Sequence, residues 1–250
     1  MKIVVIGGTG LIGSKLVHLL GRAGHEVVAA SPDTGVDTLT GHGLAEVLTG
    51  ARVVVDVSNS PSFADADVLD FFRTSTGNLL AAEKVAGVAH HVALSVVGAD
   101  RLPDSGYLRA KVAQEALIEQ GGVPWTILRA TQFFEFLRAI AASATDGDTI
   151  RLTPRLFQPV AADEVASTLA ELATGTPSGA VAELGGPETF PMATLVERYL
   201  AAAGGDEPAR KVIADPATGY FGAVLDDTSL VTGPGARIGA IGFPDWLAAR

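Results

Sequence analysis

The chain has no cysteine among its 250 residues, and aromatic residues make up only 6% of it. Without thiols it cannot form disulfides, use a thiolate nucleophile or bind zinc through cysteine. Five histidines are present, and two of them, His90 and His91, are neighbours that would point to opposite faces of a strand. We interpret this pair as residues at a loop edge, and the sequence predicts no metal site.

Basic residues are also scarce: 18 Lys and Arg stand against 28 Asp and Glu, which gives a formal net charge of −10. Nucleic acids and anionic membranes bind basic surfaces, so this balance argues against both partners. No apolar run reaches the roughly 18 residues of a membrane span, and the chain starts directly on a strand-like segment. These features predict a cytoplasmic protein that binds a small molecule, and they leave the oligomeric state open.

Strand-like and helix-like segments alternate through the first 130 residues. This alternation is typical of a parallel sheet with helices on both faces, so we predict an α/β protein with a doubly wound parallel sheet. Residues 1–130 would form most of that core, and residues 131–250 the remaining core elements with a small C-terminal lobe. Strands are predicted over 2–6, 26–30, 52–57, 91–95 and 124–128, helices over 14–20, 43–48, 67–85, 105–120, 163–173 and 192–203, and a loop over 145–154.

A glycine-rich turn lies between the first predicted strand and the first predicted helix, with the spacing G-x-x-G-x-x-G. Glycines at this spacing let the backbone turn tightly and approach a pyrophosphate, while free N–H groups at the helix start point at the anion. The turn therefore predicts a bound dinucleotide cofactor. Its predicted contacts are Gly7, Thr9, Gly10, Leu11, Ile12 and Gly13.

Tyr107 and Lys111 are four residues apart on a predicted helix, so they share one face. Ser95 ends a predicted strand, and the strand ends of an open parallel sheet face the ligand crevice. We predict that the three converge. Tyr107 would exchange a proton with a substrate oxygen that Ser95 holds, and Lys111 would lower the pKa of the phenol and reach the nicotinamide ribose. The alternative is a surface helix with a solvated lysine and a half-buried tyrosine.

With these motifs the sequence resembles the short-chain dehydrogenase/reductase superfamily, in particular its extended and atypical members, which include the NmrA-like proteins. The resemblance covers essentially the whole chain. It implies a dinucleotide-binding Rossmann core over residues 1–130, a substrate lobe within 131–250, and Asn59 as a further cofactor contact. Beyond the residues already named, it rests on segments 52–59, 78–82, 128–130, 157–160 and 184–188.

The chain departs from the extended branch at two places. Phe71, Phe72 and Arg73 occupy the region where that branch usually carries an asparagine, so the resemblance does not extend to an asparagine-based proton relay. In the segment 128–130, Ala130 follows the arginine, whereas the extended branch usually has a proline at that position. NmrA-like regulators, in contrast, commonly lack the tyrosine and lysine pair, so its presence favours a working reductase.

The choice of cofactor depends on the end of the second predicted strand. A carboxylate there binds a ribose 2′-hydroxyl, as in NAD, whereas a cation binds the 2′-phosphate of NADP. The chain offers Ser31 and Asp33. Asp33 supports NAD, but Ser31 can hydrogen-bond a phosphate and the similar proteins mostly bind NADP. We predict NADP, with NAD as the alternative.

The segment after the last predicted strand, with Gln132, Phe133 and Phe134, should pass over the nicotinamide and line the substrate pocket. The leading hypothesis is an NAD(P)-dependent oxidoreductase of a small, fairly apolar carbonyl compound or alcohol. The rival is a non-catalytic sensor that binds NAD(P) and reports its redox state to a partner. A nucleotide-sugar epimerase would need a second diphosphate site, which the sparse basic residues of the C-terminal part disfavour.

Overall fold

The computed structural model describes residues 1–203 and 210–250. Strands and helices alternate along most of the described chain, and three short 3₁₀ turns occur at Pro32–Thr34, Ala99–Arg101 and Phe134–Phe136. The strands are β1 (Lys2–Ile6), β2 (Glu26–Ala30), β3 (Val53–Asp56), β4 (His90–Val96), β5 (Trp125–Ala130), β6 (Thr145–Asp146), β7 (Thr149–Leu152), β8 (Leu156–Phe157), β9 (Val181–Gly185), β10 (Phe190–Pro191), β11 (Lys211–Ala214) and β12 (Arg237–Ile238). The helices are α1 (Leu11–Arg22), α2 (Leu44–Leu48), α3 (Asp65–Ala86), α4 (Gly106–Gln120), α5 (Leu137–Ser143), α6 (Ala162–Thr174), α7 (Met192–Ala203) and α8 (Phe243–Ala248).

The central sheet has seven strands in the order β12-β9-β5-β4-β3-β1-β2, and every neighbouring pair is parallel. From β1 the chain runs outward to β2 and then crosses back to β3 on the other side. Ligands of such sheets bind where the order reverses, beyond the carboxyl ends of the strands. The predicted doubly wound sheet is therefore confirmed, and its crevice lies beyond β1 and β3.

The strands are buried on both faces, which explains why they are almost uninterrupted apolar runs. In β1, Val4 and Ile6 pack towards α2, α3 and α4, while Ile3 and Val5 pack towards α1 and α6. Three of these four side chains have no exposed surface, and Ile6 is 3% exposed. The chain after residue 130 completes this core, since it supplies α6, β9 and β12.

A second apolar cluster, called the lobe below, includes Phe134, Phe157 and Trp246 and extends to Leu102 and Leu108 of the first 130 residues. One prediction for this lobe is wrong: residues 145–154 are not a simple loop, because β6 and β7 form a hairpin and β7 also pairs with β11. Gly147, at φ +55°, forms the tight turn of that hairpin. These strands are short and polar, so the sequence carries little strand signal. Only Ile150 and Leu152 alternate as buried apolar residues.

The interpretation of His90 and His91 as loop-edge residues is also wrong. Both lie in β4 with almost no exposed surface. As expected for strand neighbours they face opposite ways: His90 Nε2 lies 2.9 Å from Thr126 Oγ1, and His91 Nδ1 lies 2.8 Å from Glu83 Oε1. Burial lowers the pKa of His90 to about 4, so this imidazole is neutral at physiological pH.

No helix within residues 1–203 and 210–250 is both long enough and apolar enough to span a bilayer. Within the same ranges, no three His, Asp or Glu side chains cluster in a way that would hold a metal ion.

Candidate active site

The glycine turn after β1 is built by close backbone contacts. Gly7 has φ +76°, a conformation that favours glycine, and its N–H donates to the Ala30 carbonyl at 2.8 Å. A Cβ on Gly13 would lie 2.1 Å from the Gly7 carbonyl oxygen. Only a glycine at position 13 therefore lets α1 pack this closely on the turn.

The start of α1 presents free hydrogen-bond donors. Gly10 is the N-cap and has no side chain with which to cap the helix. The amides of Leu11, Ile12 and Gly13 are the first of α1, and such amides have no helical carbonyl to bond. Thr9, Gly10 and Leu11 are exposed, so a diphosphate can reach these donors. The residues present fit a dinucleotide.

Gly10 offers a clean test of this cradle, because a Cβ there meets only the Gly7 carbonyl oxygen, at 3.3 Å. We expect Gly10→Leu to fold normally but to raise the Kd of NADP⁺ and NAD⁺ more than about tenfold, which is about 1.4 kcal/mol of binding free energy or more. The reason is that the leucine side chain would keep the pyrophosphate away from the backbone amides. Isothermal titration calorimetry gives the Kd. Gly21→Leu is the control: Gly21 lies in the same helix with nothing within 4 Å of its Cβ position. Unchanged affinity in Gly10→Leu would remove the cofactor from this turn.

The two residues predicted to bind the ribose 2′-group follow the end of β2. Ser31 is 6% exposed, and its N–H donates to Thr34 Oγ1 at 2.9 Å. Asp33 is exposed on the 3₁₀ turn that follows. The sequence has no Lys or Arg between Arg22 and Arg52, so this stretch supplies no cation for a 2′-phosphate.

Tyr107 lies in the first turn of α4, which Ser105 caps by accepting a hydrogen bond from Leu108 N at 3.4 Å. Its phenol is hydrogen-bonded to the side chain of Asn59, which follows β3. Burial raises the pKa of Tyr107 to about 12, and the Asn59 hydrogen bond offsets this only in part. The expected lowering of the phenol pKa by Lys111 is not found. The phenol is protonated at neutral pH.

Lys111 points into the protein and is 3% exposed. Its Nζ donates to the Leu94 carbonyl at 2.9 Å and to Gln114 Oε1, and Gln114 Nε2 donates to Asp56 Oδ2 at 3.0 Å. Burial lowers the pKa of Lys111 to about 8, against the opposing effect of the carboxylates of Asp56 and Glu115. The ammonium therefore ties α4 to the ends of β3 and β4.

Ser95 also points towards α4, but further along the helix. Its Oγ donates to Glu115 Oε1 at 2.5 Å. Arg129 holds Glu115 through two hydrogen bonds, of 2.9 and 2.6 Å. Glu115 is eight residues beyond Tyr107, which is about 12 Å along an α-helix. The structure thus brings Tyr107 to Asn59, Lys111 to β4 and the Ser95 hydroxyl to Glu115.

The predicted substrate segment follows β5 and is largely buried. Gln132 is 7% exposed, Phe133 9% and Phe134 1%. Phe133 packs into the core of the sheet, in the same cluster as Ile12. Phe134 stacks on Trp246, with ring centroids 5.2 Å apart, inside the lobe.

Four residues at this site were not singled out from the sequence. Asp56 and Gln114 connect to Lys111, and Phe63 and Phe221 contact the ring of Tyr107. Gln114 had a local signal, because it lies seven residues after Tyr107 on the same helical face. The two phenylalanines lie in loops far apart in the sequence and had none.

Comparison with known proteins adds to this geometry. A family model described as NAD(P)H-binding matches residues 7–175, more than half of the chain. Photosystem II assembly factor Ycf39 of Cyanophora paradoxa is 25% identical over 168 residues, which cover 61% of this chain and 52% of that protein. The chain thus spans about half the length of that curated relative.

Solved structures of low sequence identity share the fold. DesIV, a dTDP-glucose 4,6-dehydratase double mutant from Streptomyces venezuelae with NAD and DAU bound, is 18% identical with a TM-score of 0.75, covering 99% of this chain and 95% of that one. MoeE5 in complex with UDP-glucose and NAD is 20% identical with a TM-score of 0.73, covering 99% and 96%. The chain belongs to the NAD(P)H-binding family, and it has the Rossmann-like fold of these solved structures.

Proposed function

We propose that the protein is a cytoplasmic NAD(P)-dependent oxidoreductase that acts on a small, fairly apolar carbonyl compound or alcohol, with Tyr107 as the acid/base. One observation carries this proposal. The backbone of Ser58 lies against Gly7, 2.9 Å from where its Cβ would be, and the next residue, Asn59, is hydrogen-bonded to the Tyr107 phenol. This closeness of Asn59 to the glycine turn supports a role for Tyr107 beside the cofactor.

When bound, the nicotinamide supplies or accepts the hydride. In the direction of reduction, Tyr107 donates its phenolic proton to the carbonyl oxygen of the substrate. The raised pKa of Tyr107 keeps that proton in place at neutral pH. The hydrogen bond from Asn59 orients the phenol and stabilises the phenolate after transfer. Phe63 and Phe221 place apolar rings against the ring of Tyr107.

Lys111 and Ser95 enter this proposal as positioning residues. Lys111 bonds the end of β4 and Ser95 bonds Glu115, so together they hold α4 against the sheet and Tyr107 at the crevice. Asn59, Ser31 and Lys111 remain proposed cofactor contacts beside the glycine turn. We further propose that residues 131–250 supply the substrate lobe, with Gln132, Phe133 and Phe134 along its wall.

The test follows the nicotinamide absorbance in both directions: oxidation of NADPH and NADH with small ketones and aldehydes, and reduction of NADP⁺ and NAD⁺ with the matching alcohols and with UDP-glucose. We expect turnover of an apolar carbonyl compound and none of the nucleotide sugar. Turnover of UDP-glucose alone would replace this function with a sugar-nucleotide one. The protein must first be shown to bind NADP⁺ or NAD⁺, so that inactivity cannot reflect an empty cofactor site.

A second candidate function is non-catalytic: a protein that binds NAD(P) and reports on it through a partner. The hydrogen bonds of Ser95 and Lys111 favour it, because they engage both predicted partners of Tyr107 with other groups. The assembly-factor relative is consistent with such a role. This candidate predicts cofactor binding without turnover of any compound in the panel.

We expect a weak cofactor preference, with NADPH bound more tightly than NADH by less than about tenfold. A charge-assisted clamp contributes about 1.5–3 kcal/mol, and no Lys or Arg of the segment 31–51 can supply one. Fluorescence titrations of the two cofactors measure the ratio. Asp33→Asn should raise the NADPH affinity by removing a carboxylate that repels the 2′-phosphate. Asp37→Asn, on the same loop, is the control and should leave the NADPH affinity unchanged. A clear NADH preference that Asp33→Asn removes would contradict the expectation.

A further inference from the structure

Three aromatic rings form a triangle at the crevice. The centroids of Phe63 and Tyr107 are 5.5 Å apart, those of Phe63 and Phe221 5.7 Å, and those of Tyr107 and Phe221 5.8 Å, the last pair inclined by only 29°. Phe63 is 51% exposed and Phe221 47%. Two half-exposed apolar rings therefore flank the phenol on its solvent side.

Phe221 occupies a strained backbone position. Tyr220 and Ala223 exchange backbone hydrogen bonds of 2.8 and 3.1 Å across a two-residue turn. Its central residues, Phe221 and Gly222, have φ +47° and +82°. Turns with two positive φ values favour Asn, Asp or Gly, and Phe221 is the one described residue other than glycine with a positive φ. A bulky ring is kept where the backbone disfavours it, which is common at functional sites.

The segment that follows this turn is fixed to the sheet domain. The guanidinium of Arg101, just beyond β4, donates to the Thr228 carbonyl at 2.5 Å and to the Val231 carbonyl at 3.0 Å. Asp226 Oδ1 accepts hydrogen bonds from the N–H of Thr228 and the hydroxyl of Ser229. The ring of Phe221 is thus presented to Tyr107 by an anchored segment.

The cations near this segment are already engaged. Arg101 also lies 3.9 Å from Glu183, and Arg155 lies 3.6 Å from Asp227. A diphosphate would have to compete with these carboxylates. Beside Tyr107, Arg109 is likewise paired with Asp65 at 2.7 Å. The groups that contact the Tyr107 ring from the exposed side are Phe63 and Phe221.

We propose that Phe63 and Phe221 determine specificity by stacking on a flat aromatic carbonyl compound, an aryl ketone or aldehyde, whose oxygen meets the Tyr107 phenol. The proposal rests on the oxidoreductase function and names its substrate class. In the reaction the carbonyl carbon accepts a hydride from the reduced nicotinamide, which becomes oxidised. The carbonyl oxygen takes the Tyr107 proton to give an aryl alcohol, and the phenolate is reprotonated from solvent.

The experiment compares 2-acetylnaphthalene with 2-acetyldecalin, which have the same carbon skeleton but differ in flatness. Binding to the protein with NADP⁺ present is measured by calorimetry, so no turnover is needed. We expect the aryl ketone to bind about tenfold more tightly, since stacking on two rings contributes roughly that factor. Phe221→Asn and Phe63→Ala should each remove most of this difference. Val224→Asn, at a 74% exposed position of the same segment, should leave it intact.

Phe221→Asn also tests the strain, because Asn suits the turn: we expect its Tm to stay within about 3 °C of wild type while the aryl preference is lost. Equal binding of the two ketones by the wild-type protein would overturn the proposal, as would a preference that survives in both ring variants. If the preference is present but no aryl ketone is turned over, the oxidoreductase function fails and the aromatic site stands. If a carbonyl compound is turned over but aryl ketones are not bound more tightly, the oxidoreductase function stands and the aromatic site fails.

Discussion

Tyr107→Phe is expected to reduce turnover of an active carbonyl substrate by about 10²- to 10⁴-fold, the usual contribution of a general acid. The change removes only the phenolic oxygen. The ring keeps its contacts with Phe63, Phe72 and Phe221, so folding and the Kd of the cofactor should be nearly unchanged. Single-turnover rates of NADPH oxidation, with calorimetric cofactor affinities beside them, give both quantities.

Tyr199→Phe is the matched control, because Tyr199 packs on Trp246 in the lobe rather than at the crevice. Its turnover should stay within about twofold of wild type, which corresponds to less than about 0.5 kcal/mol in the barrier. Burial raises the pKa of Tyr107 to about 12, so the phenol keeps its proton up to pH 10. The wild-type rate of reduction should therefore not fall up to pH 10 through ionisation of Tyr107. A native rate in Tyr107→Phe would mean that this tyrosine only packs.

Lys111→Met is expected to lower the free energy of unfolding by about 2–3 kcal/mol, because a buried polar group that loses its hydrogen-bond partner costs about 1–3 kcal/mol. Met fills a similar volume but leaves the carboxylate of Asp56, which is 2% exposed, without its nearby cation. It also leaves the Leu94 carbonyl and Gln114 Oε1 without their donor. Urea denaturation with and without saturating cofactor measures the change.

Two further variants separate a positioning role for Lys111 from a direct contact with the ribose. Lys15→Met breaks the exposed pair with Asp163, 2.7 Å apart, and should cost at most about 1 kcal/mol. Adding Asp56→Asn to Lys111→Met should restore part of the lost stability, because the buried charge is then gone. If Lys111→Met instead costs under about 1 kcal/mol and weakens cofactor binding strongly, Lys111 is a ribose contact.

The glycine turn and the sheet could be predicted because their signals are local. Gly7 and Gly13 shape the turn between the strand and the helix that are their neighbours in sequence. The strands β1 and β3 are continuous apolar runs because both faces of the sheet are covered by helices. The hairpin over 145–152 was missed because its strands are two to four residues long. His90 and His91 were misread because strands buried on both faces can hold polar side chains that find partners on neighbouring elements.

The side-chain directions at the site could not be predicted in the same way. Strand-end and helix-face arguments placed Ser95, Tyr107 and Lys111 near one edge of the sheet. Which partner each side chain takes depends on competing groups, here Glu115 for Ser95 and Gln114 for Lys111. The aromatic triangle joins the loop after β3, the first turn of α4 and the turn at Phe221. These three segments are far apart in the sequence, so no local pattern predicts the triangle.

The most direct test of the oxidoreductase account is a crystal structure of the protein with NADP⁺ and 2-acetylnaphthalene. The account predicts the pyrophosphate on the amides that begin α1 and the Tyr107 hydroxyl about 2.6–3.2 Å from the ketone oxygen. The carbonyl carbon should lie about 3–3.5 Å from the hydride-accepting carbon of the nicotinamide. A nicotinamide that lies away from Tyr107, with the phenol still enclosed by Phe63 and Phe221, would contradict the account and favour the non-catalytic function.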